Sequence, residues 1–187
     1  MDAVLFVLIG GLFALIGALP VIFFQRRGGL NLRWWLTAAP FFVAGAALPV
    51  TYLGLAPIWQ LPQPVALAFT ILATLAASFA LALTTYTLGI HRRRIALWHQ
   101  SDDAPEEIVT DGPYRLVRHP FYTAFLAALL AAVFAAPSTV TLVCLLWGFA
   151  ALFLTARREE RRLLGSTLGA TYEAYMRRTG HFLPLRG

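Results

Sequence analysis

Five apolar runs divide the chain. Ala3 to Phe24 is the first, and Trp34 to Leu55 the second, interrupted by Pro40 and Pro49. Val65 to Ile90 is the third and longest. Phe121 to Ala136 and Thr139 to Ala156 are shorter, about 16 and 18 residues, with Pro137-Ser138 reading as a tight turn between them. A helix that crosses the hydrocarbon layer needs about 20 mostly apolar residues, at roughly 1.5 Å of rise each. The first three runs reach that length, and the last two read as a shallow or tilted hairpin. Beyond them, Leu163, Leu168, Tyr172 and Tyr175 continue an amphipathic pattern that predicts a helix lying in the interface. The pattern thus predicts an all-α integral membrane protein with about five transmembrane helices and a C-terminal interfacial helix. Its organisation falls into residues 1–90, with three spans, and residues 91–187, with the short hairpin and the cytoplasmic C-terminal helix.

Composition supports the membrane assignment. Of 187 residues, 59% are hydrophobic and 13% charged, where soluble domains carry roughly 25% charged residues. A soluble core of this size cannot hide so much apolar side chain. The single cysteine, Cys144, lies in an apolar run, which excludes an intramolecular disulfide and argues against a zinc cluster. All fifteen basic residues are arginine, so mechanisms built on a lysine Schiff base or a Walker-type lysine are excluded.

The charges set an expected topology. Arg26, Arg27 and Arg33 follow the first run, no charge lies between Ala56 and Pro64, and Arg92 to Arg118 fill the third link. Pro137-Ser138 is uncharged, and Arg157 to Arg186 fill the tail. Arginines in alternate loops predict an outside N-terminus and a cytoplasmic C-terminus. The net charge of +6 is explained in this way without a nucleic acid partner. The first run starts Met1-Asp2 and stays apolar too long for a cleaved signal peptide, so it reads as a permanent anchor.

Polar chemistry is therefore expected on one face, where the four histidines and eight of the nine acids gather. The spans lack Asp, Glu, Arg and His, against a midplane ion pathway. No internal repeat supports an inverted-repeat transporter. In Gly112-Pro113-Tyr114-Arg115-Leu116-Val117-Arg118-His119-Pro120-Phe121-Tyr122, Pro120 opens the fourth helix and sets Arg118 and His119 at its mouth. A helix N-terminus suits an anion. Equally, Arg115 and Arg118 read as positive-inside flanks, and Tyr114 and Tyr122 as interfacial belt aromatics. In Arg157-Arg158-Glu159-Glu160-Arg161-Arg162, Arg157 and Glu160 share a helix face and read either as a self-paired solvated surface or as carboxylates that need a partner. The closing Gly180-His181-Phe182-Leu183-Pro184 turns apolar again and is suited to covering a pocket. His91 reads as solvated, His99 beside Trp98 as a ligand or headgroup contact, and Asp102-Asp103 and Glu106-Glu107 as an acidic loop with Ser101 as a cap. The histidines lack metal-ligand spacing, and no metal is expected.

From Val109 to Pro184 the chain resembles the isoprenylcysteine carboxyl methyltransferase and phospholipid methyltransferase family of membrane enzymes. The matching motifs are Gly112-x-Tyr114, Arg118-His119-Pro120-x-Tyr122, Glu159-Glu160-x-x-Leu163, Leu168-Gly169-x-x-Tyr172-x-x-Tyr175 and Leu183-Pro184. The resemblance implies S-adenosyl-L-methionine as cofactor, released as S-adenosyl-L-homocysteine, and makes residues 91–187 the catalytic half. It implies that Ile108 and Val109 line the cofactor pocket and Tyr114 closes over it. His119, Pro120, Phe121 and Tyr122 would hold the polar end, with Glu159 or Glu160 as a carboxylate ligand. Arg157 would be the catalytic contact to the acceptor's carboxylate. Three departures bear mainly on the acceptor. Thr123-Ala124 stand where glycine is usual, the arginine expected four residues before Glu159 is replaced in role by Arg157, and Leu163 to Leu168 is one residue longer.

The resemblance implies methyl transfer to a lipid or lipid-anchored acceptor, most like an isoprenylcysteine carboxylate, with membrane lipids as the other partners. A phospholipid amine, a thiol or a quinone-type lipid are the alternative acceptors. Two rivals of other classes remain: an NADPH-dependent reductase resembling the sterol reductases, and a non-catalytic membrane protein on the same scaffold.

Overall fold

The computed structural model describes residues 3–23, 32–90 and 107–185, with side chains omitted for 19–23 and 32–34. Arg26, Arg27, His91, His99, Ser101, Asp102, Asp103 and Glu106 lie outside the described residues. The described chain is helical, with helices α1 (Ala3–Phe23), α2 (Leu32–Tyr52), α3 (Gln63–Ile90), α4 (Pro120–Ala135), α5 (Thr139–Leu164) and α6 (Gly169–Met176). Among the described residues no strand forms beyond one isolated parallel bridge, Val117 to Gly180.

The helices follow the apolar runs closely. Three are long and apolar enough to cross a membrane, Trp35–Tyr52, Gln63–Ile90 and Thr139–Leu164; Ala3–Ala18 and Pro120–Ala135 are shorter apolar helices. Pro40 and Pro49 sit inside α2 without ending it, as helix neighbours in a membrane tolerate. Alanine lets α3 and α4 come close: Ala73, Ala77 and Ala80 of α3 and Ala128, Ala131, Ala132 and Ala135 of α4 are all buried in one core. Leu5, Ile9, Leu12 and Ile16 bring α1 onto that core, spaced by three to four residues. Large apolar side chains also face outward, among them Leu67, Ile71, Leu75 and Phe79 on α3 and Val143, Leu146 and Phe149 on α5, as expected where lipid is the surrounding solvent. The hydroxyls of Thr70, Thr74, Thr85 and Thr87 bond carbonyls four residues back, which satisfies them within α3.

The bundle has two unlike ends. At one, Ser138 caps α5 in a reciprocal box with Thr141, and the Trp59 amide bonds the Pro137 carbonyl at 2.7 Å. The two uncharged links thus meet. At the other end the apolar part of α5 stops at Ala156, and its last two turns, Arg157 to Leu164, carry the charged run beyond it. The amphipathic pattern from Leu163 to Tyr175 is split by a turn after Gly165, with α6 as its second part and Tyr172 and Tyr175 turned into the protein.

Candidate functional site

The site assembles at the charged end from three pieces of chain: the approach to α4, the end of α5, and the segment after α6. Gly112 opens a 3-10 turn, Gly112–Arg115, at φ +57°, and a Cβ there would run into the Ile90 side chain. Pro120 is buried at the start of α4 and leaves His119 as the residue before the helix. After α6 the chain returns beside the same turn as a strap. Gly180 N donates to Leu116 O at 3.0 Å, Arg118 N to Gly180 O at 2.9 Å, and His119 N to His181 O at 3.3 Å. The Thr123 hydroxyl extends this seam to Phe182 O at 2.9 Å.

Glu160 is the centre of the arrangement. Its Oε1 accepts from Arg118 Nε at 2.7 Å and His119 Nε2 at 3.2 Å, and His181 Nε2 lies 3.6 Å away. Burial works to raise its pKa, but hydrogen bonds from His119 and Arg118, with their charge, outweigh it and hold the carboxyl at about 2. Arg118 also donates to the carbonyls of Thr179, at 2.5 Å, and Met176, at 3.3 Å. One guanidinium therefore joins α5, the end of α6 and the approach to α4. The two readings of the arginine–glutamate run part here: Glu160 turns inward to Arg118, while Arg157 and Arg158 stay exposed.

Glu159 occupies a different position. It accepts the Tyr122 hydroxyl at 2.7 Å and lies 3.7 Å from His119 Nδ1, with 17% of its side chain exposed. His119 stacks parallel on Tyr122, with ring centroids 5.3 Å apart, and stands edge-on to His181 at 5.1 Å and Phe182 at 6.0 Å. Tyr175 donates to the Tyr114 carbonyl at 2.6 Å. Burial first, then the neighbouring Tyr175 and Glu159, push the Tyr114 phenol well above its usual range, and burial lifts Tyr175 to about 12. Both phenols are therefore neutral donors at physiological pH.

Of the residues expected in the site, the structure thus brings together Tyr114, His119, Tyr122, Glu159 and Glu160. Ile108 and Val109 are half-buried before the 3-10 turn. Phe121 leans on Phe125, which meets Phe41 edge-on, so its ring belongs to the helix packing beside the site. Arg157 holds its guanidinium 5.3 Å over the Phe153 ring on the outer side. Thr179 was not expected in the site, and Arg118, His181 and Phe182 were expected only as a helix-mouth cation and a covering segment, without their partners. The Arg-His-Pro triplet and the closing Gly180-His181-Phe182 were the available signals, but neither tells which partner 40 to 60 residues away each would meet.

His119, Glu160 and His181 offer donor atoms within 4.8 Å of one another, a spacing a metal ion can use. The Arg118 guanidinium bonds the same carboxylate oxygen, so a fixed cation already occupies the approach a metal would need. The donor set is better suited to an organic cation with hydroxyl and amino groups: a carboxylate for the donors, and aromatic faces for the charge.

An all-helical membrane protein with a buried histidine–carboxylate site at one end of its bundle is the class these features define. The model of the family described as phospholipid methyltransferase matches residues 65–170, more than half of the chain and all of the site up to α6. The chain belongs to the phospholipid methyltransferase family of integral membrane methyltransferases. Comparison with curated proteins and with solved structures finds no match.

Proposed function

We propose that this membrane methyltransferase uses S-adenosyl-L-methionine to methylate a lipid-borne acceptor at the cytoplasmic face, with its N-terminus outside. The observation that carries the reading is the carboxylate of Glu159, part-exposed and set between Tyr122 and His119 at the charged end of the bundle. When bound, the cofactor supplies an electrophilic methyl group on a sulfonium. Glu159, with 17% of its side chain exposed, accepts its hydroxyl or amino donors, while Glu160 lies deeper against Arg118 and His119. Tyr122 and His119 form the wall at its polar end with Pro120 and Phe121 packed behind them, Tyr114 closes over it, and Ile108 and Val109 line the pocket. The protein's own contribution is alignment and exclusion of water, and alignment alone can lower a barrier by about 7–11 kcal/mol.

Arg157 is the acceptor's contact. It sits where the helix leaves the apolar layer, on Phe153, and suits the anionic group of a lipid headgroup arriving from the bilayer. The resemblance favours an isoprenylcysteine carboxylate, an acceptor that needs orientation but no base. The family description favours a second acceptor, a phospholipid amine, whose phosphate Arg157 reads in the same way. Labelled methyl transfer to N-acetyl-S-farnesylcysteine and to phosphatidylethanolamine vesicles, run side by side, separates the two. Transfer to neither, by protein that binds S-adenosylhomocysteine, rejects both.

A further inference from the structure

His181 has no part in the cofactor arrangement described above, yet its backbone and its ring are both packed into the site. Its carbonyl accepts from His119 N, and its ring is packed by His119, Phe153 at 5.5 Å and Phe182 at 4.2 Å. Nε2 is buried and makes no hydrogen bond; the polar atom it faces is Glu160 Oε1, 3.6 Å away. The side chain nevertheless keeps 22% of its surface exposed, so that surface belongs to atoms other than Nε2. Phe153, against which His181 stands edge-on, also carries the Arg157 guanidinium. The ring therefore lies between the carboxylate centre and the side from which the acceptor arrives.

We propose that His181 is the residue that takes the proton from the methyl acceptor, with Glu160 holding its ring. The proposal rests on the methyltransferase reading and concerns acceptors with a hydrogen to lose. Which nitrogen of a neutral imidazole carries the proton is set by the partner of the other. Facing a carboxylate, Nε2 carries it, and the lone pair is on Nδ1. Bonds of this kind are often long until substrate binds. For a headgroup ammonium, the N–H bond breaks and its proton passes to Nδ1. The freed nitrogen pair then forms the new N–C bond as the methyl–sulfur bond breaks and its electrons stay on sulfur. The proton leaves His181 for water, and one proton is released per turnover.

The surrounding charges agree with that role. Burial is the largest cause of the lowered His181 pKa; Glu160 next pulls it upward, and the smaller effects of His119, Arg118 and Arg157 lower it again. The ring is thus neutral and ready to accept at neutral pH. Glu160 compensates the imidazolium as it forms.

The test uses the full chain, labelled S-adenosylmethionine, phosphatidylethanolamine vesicles and N-acetyl-S-farnesylcysteine, with His181→Gln and His181→Ala. Expected is transfer to the amine, lowered about a hundredfold or more in His181→Gln. S-adenosylhomocysteine affinity by calorimetry should stay unchanged, the acid limb of the kcat/KM profile should vanish, and added imidazole should restore part of the His181→Ala rate. Amine transfer at the parent rate in His181→Gln overturns the proposal, as does a folded His181→Ala that imidazole does not rescue. Transfer to the farnesylcysteine carboxylate alone, equal in parent and His181→Gln, also overturns it and leaves the methyltransferase reading intact. A parent protein that binds no S-adenosylhomocysteine and methylates neither probe overturns both.

Discussion

Arg118 and Glu160, 42 residues apart in sequence, meet at 2.7 Å, each with 10% of its side chain exposed. A pair this buried contributes little net stability, because desolvation offsets most of the attraction, but breaking it from one side leaves a charge uncompensated. The guanidinium also satisfies the Met176 and Thr179 carbonyls. Arg118→Ala is therefore expected to cost about 3–5 kcal/mol, read as a lower midpoint of thermal unfolding in detergent. Arg118→Lys should recover only part, since an ammonium cannot reproduce the fork. An unchanged midpoint in Arg118→Ala would show that the pair holds nothing together.

The strap after α6 depends on a residue without a side chain. A Cβ at Gly180 would run into the Leu183 carbonyl, beside the bridge to Val117. Gly180→Ala should loosen the strap from the approach to α4 and speed tryptic cleavage at Arg177 or Arg178, while α1 to α3 stay protected. Equal cleavage rates in the two proteins would count against a docked strap.

His181 gives a pH dependence with a definite sign. Its pKa in the folded chain is lowered from 6.5, chiefly by burial. The stability tied to its neutral form is complete above pH 6.5 and declines as pH falls below it, because the unfolded chain takes up the proton first. Thermal midpoints measured from pH 8 to 5 should fall on the acid side, and His181→Gln should flatten that fall. A slope the substitution leaves unaltered would place its origin elsewhere.

Much of this architecture was legible from the apolar runs. The expected span Val65 to Ile90 became α3, two residues longer at its start, and Thr139 to Ala156 became the apolar part of α5. Local rules sufficed there, because length and continuous hydrophobicity decide which segments fit a bilayer. The site was legible as residue types but not as pairs. Arg157 and Glu160 are neighbours on a helix surface, yet Glu160 joins Arg118 and His119 instead. That choice depends on how α4 and α5 pack and where the strap returns. No periodicity encodes the distance between residues 118, 160 and 181. By the same limit the sequence does not show that Glu159 and Glu160 have different partners, Tyr122 for the one and Arg118 for the other.

The two arginines beside the glutamates should behave differently. Arg157 stacks on Phe153, whereas Arg158 points about 100° away around the helix. Arg157→Ala is expected to lower acceptor turnover roughly ten- to a hundredfold, the loss of one charged hydrogen bond of about 1.5–3 kcal/mol. Cofactor affinity should survive, and Arg158→Ala should leave both untouched. If neither substitution alters transfer, the acceptor is uncharged at that point, as a thiol or phenol would be.

The central claim is that Glu159 and His119 hold the methyl donor. The most direct measurement is calorimetric titration of the purified protein with S-adenosylhomocysteine and, separately, with NADPH, repeated on Glu159→Gln. Saturable binding of S-adenosylhomocysteine alone, weakened roughly tenfold or more by Glu159→Gln, is the predicted result. Binding of NADPH in its place, or of neither compound, would contradict the assignment.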